Sequence, residues 1–280
     1  MHFIKALALD LDGTLLNSRG RISSITATYL QKLRAEGVTL VLASGRMTHR
    51  MMPAAEILGP PLTLISYNGA RISRWEKGQT WATEFATVIS PETRRRVLKL
   101  CEKRAYFLNI YAGEDVFGYH PNRDFHAAEF YTGQNGAQYA GFFAHIEDIP
   151  AEAIAKLLII TTPEDREKLY RECLEEFGNL CSILKSNPEY LEFMAVGTTK
   201  GSALGQWLQS QSFSASQMAA FGDAENDLDM LQAVGHGYAV ANATPGLKNA
   251  YARISPFNHD EDVIVRELES ILAKDLSKER

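Results

Sequence analysis

Three nearly unbroken apolar runs, at residues 3–10, 38–43 and 62–66, set the strongest constraint on this chain. Such runs mark strands buried on both faces, the pattern of inner strands in a parallel sheet. Between them, residues 24–36 carry Ile25, Tyr29, Leu30 and Leu33 at helical spacing, with Gly37 at a helix C-terminus. A further helix is expected over about 47–57. Strand, helix, strand, helix, strand at this spacing predicts βαβ units and an α/β fold.

The rhythm changes in the middle of the chain. Residues 71–88 alternate and carry turn signals, which predicts short antiparallel strands. A Pro-started helix is expected over 91–104, and hairpins over 106–119 and 181–195. A strand is expected at 156–162 and a helix at 163–177, whereas 121–150 gives no clear pattern. The α/β rhythm then returns, with helices at 200–211 and 226–234, a buried strand at 218–221, short strands at 238–240 and 253–255, and a helix at 261–273. The expected organisation is one α/β core built from residues 1–82 and 196–280. A smaller α+β domain, 83–195, is inserted into it.

At about 150 residues per domain, 280 residues accommodate both parts. Lys and Arg number 29 against 34 Asp and Glu, a net charge of −5, which provides no general pull toward nucleic acid or an anionic membrane surface. No run approaches the roughly 18 apolar residues needed to span a bilayer, and the N-terminal stretch reads as a strand rather than a secretion signal. Cys101, Cys173 and Cys181 are too few and scattered for a disulfide framework. A cytoplasmic setting with reduced thiols is the expectation. There Asn242-Ala243-Thr244, a glycosylation pattern, carries no meaning.

In open parallel sheets, ligands bind beyond the carboxyl ends of the strands. The first strand delivers Asp10 and Asp12 there. In extended backbone, residues two apart point the same way, so both carboxylates are expected to face one site. Each also has a structural reading, as a turn residue or a helix cap. Gly13 permits the turn and turns backbone N–H groups toward an anion. The second strand delivers Ser44 and Gly45, which either cap the next helix or hold a phosphate oxygen at its N-terminus. The strand at 218–221 delivers Asp223, Glu225, Asn226 and Asp227. One N-cap accounts for one of these carboxylates, and Leu228 stands where an EF-hand loop needs glycine. Few carboxylates with room for water and phosphate suit Mg²⁺. Lys200 opens a helix, where a cation opposes the helix dipole unless an anion is bound nearby.

Other chemistries find no motif. Residues 197–202 form no Walker A loop, and Gly235-His236-Gly237 lacks the third glycine of a dinucleotide fingerprint. HExxH and GxSxG are absent, and the seven histidines are dispersed.

Asp10-Leu11-Asp12-Gly13-Thr14, Ser44-Gly45-Arg46, Lys200-Gly201 and Gly222-Asp223-Ala224-Glu225-Asn226-Asp227, in this order, resemble the haloacid dehalogenase superfamily. Asn68-Gly69-Ala70, Glu192-Phe193-Met194 and Lys200-Gly201-Ser202-Ala203-Leu204 are similar to its Cof-type branch, subfamily IIB with a C2B cap. The resemblance spans the core, and the cap matches in length and rhythm. It implies a Rossmann-like parallel-sheet core, an inserted α+β cap and phosphoryl transfer to an aspartate. Asp10 is then the nucleophile and Asp12 the general acid and base. Asp10, Asp223 and the Asp12 backbone carbonyl hold Mg²⁺. Ser44, the Gly45 and Leu11 N–H groups, Lys200 and Asn226 bind phosphoryl oxygens. Asp227 orients the metal shell or Lys200. Asn68 is a candidate substrate contact, and Arg46 either binds substrate or braces its loop. One departure is His259-Asp260-Glu261-Asp262-Val263, where the family often has glycine after the acidic pair.

The implied function is a Mg²⁺-dependent phosphatase for small phosphomonoesters such as sugar or cofactor phosphates, acting as a monomer or small homo-oligomer. The alternatives are a sugar phosphomutase and a non-catalytic phospho-ligand binding protein.

Overall fold

The structure, a computed structural model, describes residues 4–135, 138–145, 148–149 and 154–278. It divides into two compact units, residues 1–85 with 199–280, and residues 86–198. The junctions fall about three residues beyond those expected from sequence, because the strand Ala82–Ala86 continues the sheet of the first unit.

The first unit is built on a seven-stranded sheet. Its strands are β1 (Ala6–Asp10), β2 (Thr39–Ala43), β3 (Leu62–Ser66), β4 (Arg71–Trp75), β5 (Ala82–Ala86), β12 (Met218–Gly222) and β13 (His236–Ala239). Their order is β13-β12-β1-β2-β3-β4-β5. The five strands from β13 to β3 run parallel, and β4 turns back antiparallel to β3. Leu7, Leu9, Leu40, Leu42, Leu64 and Phe221 are fully buried, as a sheet covered on both faces requires. The helices of this unit are α1 (Ser24–Ala35), α2 (Thr48–Leu58), α6 (Lys200–Leu208), α7 (Leu228–Gln232), α8 (Pro245–Ala250) and α9 (Val263–Lys278). The strand expected from residue 3 begins at Ala6, and Phe3 lies outside the described residues.

The order β12-β1-β2 places the carboxyl ends of these three parallel strands side by side. Asp10 pairs in register with Ala43, the residue before Ser44. Leu9 pairs with Phe221, one residue before Gly222. Residues from three distant parts of the sequence therefore emerge on one sheet edge.

The second unit has a six-stranded sheet, β10-β11-β9-β6-β7-β8. These strands are β6 (Phe107–Ala112), β7 (Asp115–Tyr119), β8 (Tyr139–Phe143), β9 (Ile154–Ile160), β10 (Cys181–Lys185) and β11 (Tyr190–Ala195). Its helices are α3 (Pro91–Arg104), α4 (His126–Asn135) and α5 (Pro163–Phe177). The region 121–150, unassigned from sequence, thus contributes α4 and β8, with residues 136–137, 146–147 and 150 outside the description. Alternate residues Leu108, Ile110, Leu157, Ile159, Leu191 and Phe193 join Val97, Cys101, Leu169 and Cys173 in one apolar cluster. The intervening positions carry a buried ion pair, Lys156 Nζ to Glu192 Oε1 at 3.2 Å. All three cysteines are free and buried.

Some boundaries differ from expectation for local reasons. The helix expected over 226–234 is a 3-10 turn at Glu225–Asp227 followed by α7, because the Asp227 carboxylate accepts the Asp223 and Ala224 N–H groups. The strand expected at 253–255 is a single bridge from Ile254 to Ala239. The last helix starts at Val263 rather than 261, because Asp262 takes φ 52°, the left-handed conformation that ends a turn. Asp262 thus makes the turn without glycine, and its carboxylate accepts the Ser23 and Thr26 hydroxyls. Among the described residues, no helix is long and apolar enough to cross a membrane.

Candidate active site

Asp10, the last residue of β1, is almost fully buried. Lys200 Nζ donates to Asp10 Oδ1 at 2.7 Å and to Asp227 Oδ1 at 2.6 Å. Lys200 occupies the first position of α6, whose N-cap Thr199 and Ser202 form a capping box. The dipole penalty noted from sequence is therefore offset by two carboxylates. Burial opposes the charge on Lys200, yet these carboxylates hold the ammonium above its ordinary value.

Asp227 is fully enclosed, with Oδ1 on Lys200 and Oδ2 on two backbone N–H groups. Burial drives the Asp10 carboxyl well above the usual carboxylate range; Lys200 opposes this, while Asp227 and Asp223 reinforce it. Burial, with repulsion from Asp227, pushes Asp223 up to about 7.

Carboxylate oxygens of Asp10, Asp223 and Asp227 lie within 4.8 Å of one another. Asp10 Oδ2 is buried and has no hydrogen-bond partner. Clustered carboxylates with one buried oxygen lacking a hydrogen-bond partner are hard oxygen donors, so this donor set fits Mg²⁺. The approach of the strands is tight. Gly13 has φ 78°, and a Cβ there would lie 2.5 Å from Asp223 Oδ2.

Asp12 lies beyond β1, which ends at Asp10, where the chain turns with Leu16 N donating to Leu11 O. Its charge still acts on Asp223, a member of the Asp10 cluster. The exposed Asp12 side chain meets Arg46 side-on. Arg46 Nε donates to Oδ2 at 2.8 Å and Nη2 to Oδ1 at 2.5 Å. Leu11 is buried at the turn.

Ser44 is buried after β2, and its Oγ accepts the Arg46 N–H at 3.2 Å. It does not cap the next helix, because Met47 is the N-cap of α2. Asn68 follows the end of β3. It is fully buried with φ 53°, and its Oδ1 accepts from Asn226 Nδ2 at 3.0 Å. A Cβ at Gly45 would lie 3.1 Å from the same oxygen. Asn68 therefore links the ends of β2, β3 and β12.

Three further residues support the acidic loops. Asn242 Nδ2 donates to Gly13 O at 2.8 Å, and His259 Nδ1 lies 3.1 Å from the same carbonyl. Thr244 N donates to Asp223 O at 2.8 Å. The glycosylation-like pattern at 242–244 thus braces the loops that carry Gly13 and Asp223. No sequence signal marked it, since each bond spans a long separation.

The haloacid dehalogenase-like hydrolase family model matches residues 7–268. This chain belongs to that family. The hydrolase is 29% identical over 253 residues to an HMP-PP phosphatase of Klebsiella pneumoniae, covering 87% of this chain and 86% of the relative. It is also similar to a haloacid dehalogenase-like hydrolase structure from Bacteroides thetaiotaomicron. That match has a TM-score of 0.81 at 27% identity, covering 96% of this chain and 99% of the other. A subclass IIB sugar phosphatase of the superfamily shares the fold, with a TM-score of 0.78 at 22% identity over 95% and 98% of the two chains. The hydrolase thus has the parallel-sheet core with an inserted α+β unit that its motifs imply.

Proposed function

We propose that this hydrolase is a Mg²⁺-dependent phosphatase of small phosphomonoesters that acts through a phosphoryl group carried on Asp10. The orphaned Asp10 Oδ2, beside Asp223 and opposite Lys200, carries the reading. A buried carboxylate oxygen kept without a hydrogen-bond partner suits a nucleophile and metal ligand better than a structural role. The HMP-PP phosphatase relative supports the reaction class.

Asp10, Asp223 and the Asp12 backbone carbonyl would hold Mg²⁺. Bound there, the ion supplies charge neutralisation between the carboxylate and the incoming phosphate. Lys200, Ser44, Asn226 and the Leu11 and Gly45 N–H groups receive the phosphoryl oxygens. An Asp10 oxygen attacks phosphorus, and the bond to the leaving oxygen breaks with its electron pair going to that oxygen. Asp12 gives that oxygen a proton. Water then attacks the phosphorus, loses its proton to Asp12, and the electron pair of the broken bond returns to Asp10. Asp227 keeps Lys200 in place throughout. The unit at 86–198 takes the cap role, selecting the leaving group.

The test is phosphate release from a panel of sugar and cofactor phosphates, with Mg²⁺ and with EDTA. Metal-dependent release from at least one ester, abolished in Asp10→Asn, is expected. No turnover of any ester, or turnover indifferent to Asp10, contradicts the proposal. Isomerisation of a sugar phosphate without net release indicates the mutase instead.

A further inference from the structure

We infer that Arg46 is a positioning residue for Asp12, fixing the carboxyl group that serves the leaving oxygen rather than gripping the substrate. This rests on the phosphatase reading, in which Asp12 is the general acid. Asp12 is exposed, and beyond its backbone bridge to Leu16 its carboxylate is held by Arg46. Its guanidinium meets both carboxylate oxygens through Nε and Nη2, a two-point contact that sets the plane of the carboxyl group as well as its place.

Arg46 is itself anchored at several points. Its N–H donates to Ser44 Oγ, its carbonyl accepts the Tyr67 N–H at 2.9 Å, and Nη1 reaches the Arg50 carbonyl at 3.5 Å. The arginine therefore transmits the rigid end of β2 to a carboxylate on the neighbouring strand end. An exposed ion pair adds little to stability. Its worth here lies in geometry, since proton transfer requires the carboxyl within hydrogen-bond reach of the leaving oxygen. A lysine would place a single point charge and leave the plane free.

Leaving-group dependence tests this. An alkyl alkoxide needs a proton as it departs, whereas para-nitrophenolate does not. kcat/KM covers steps through leaving-group departure, so it isolates the acid role. Wild type, Arg46→Ala and Arg46→Gln are compared on glycerol phosphate and para-nitrophenyl phosphate, with Mg²⁺ and matched thermal melts. The expected result is a loss of about 10-fold or more in kcat/KM for the alkyl ester. The aryl ester should change several-fold less, with the loss in kcat rather than KM. Equal losses on both esters in both variants, or a change confined to KM, overturn the inference. An alkyl phosphate that wild type hydrolyses in the sugar and cofactor panel replaces glycerol phosphate if that ester is not a substrate; if wild type turns over no ester of the panel, or does so without Asp10, it is the phosphatase reading that fails.

Discussion

Lys200 Nζ lies 2.7 Å from Asp10 Oδ1, although 190 positions separate the two residues in the chain. The same nitrogen reaches Asp227, so one buried ammonium neutralises part of a three-carboxylate cluster. Removing it leaves buried carboxylates without their counter-ion. Lys200→Met, which keeps most of the stem, is expected to cost about 3–5 kcal/mol in urea unfolding of the metal-free protein. Adding Asp227→Asn should recover part of that loss. Unchanged stability in the single variant would show that the pair is not needed to hold the fold.

The same cluster makes stability depend on pH. Asp223 is pushed from 3.8 to about 7, so between those values the folded state binds more protons than the unfolded state. Stability then falls as pH rises through this window, the reverse of an ordinary salt-bridged carboxylate. The raised Asp10 carboxyl acts in the same direction. Thermal melts in EDTA should drop from about pH 5 to pH 8, and saturating Mg²⁺ should flatten the drop. A melting curve indifferent to Mg²⁺ at pH 8 would argue against a metal at this cluster.

The contrast between Asp10 and Asp12 explains what was readable in sequence. Asp10 ends an apolar strand, and strand order fixes its neighbours, so its place followed from hydrophobic periodicity and the rule for parallel sheets. Asp12 lies beyond the strand, where the two-residue alternation no longer applies, so its pairing with Arg46 was invisible. Asn68 was readable as a residue at the end of β3, but its bond to Asn226 was not, because it joins positions 158 apart. Asn242 and His259 were missed for the same reason. The helix at 163–177 was legible to the residue, since Pro163 at the first turn and the Thr162 cap are local signals.

Gly13 packs directly against the Asp223 carboxylate. A side chain there faces both a φ of 78° and the Asp223 carboxylate. Gly13→Ala should displace Asp223 and weaken Mg²⁺ binding by about 10-fold or more in calorimetric titration. Wild-type affinity in that variant would mean Asp223 is not a ligand.

Asn68 offers a test of the strand-end brace. Asn68→Gly tolerates the left-handed backbone and removes the side chain that accepts from Asn226. Losing this hydrogen bond is expected to raise KM for a phosphomonoester by about 3- to 10-fold, with a smaller change in kcat. A KM equal to wild type would separate Asn226 from phosphate binding.

The most direct measurement is mass spectrometry of enzyme quenched in acid during turnover of a phosphomonoester with Mg²⁺. The prediction is one added phosphoryl group, mapped by peptide fragmentation to Asp10 and absent in Asp10→Asn. A phosphoryl group on another residue, or an Asp10→Asn variant that releases phosphate at the wild-type rate, would contradict it.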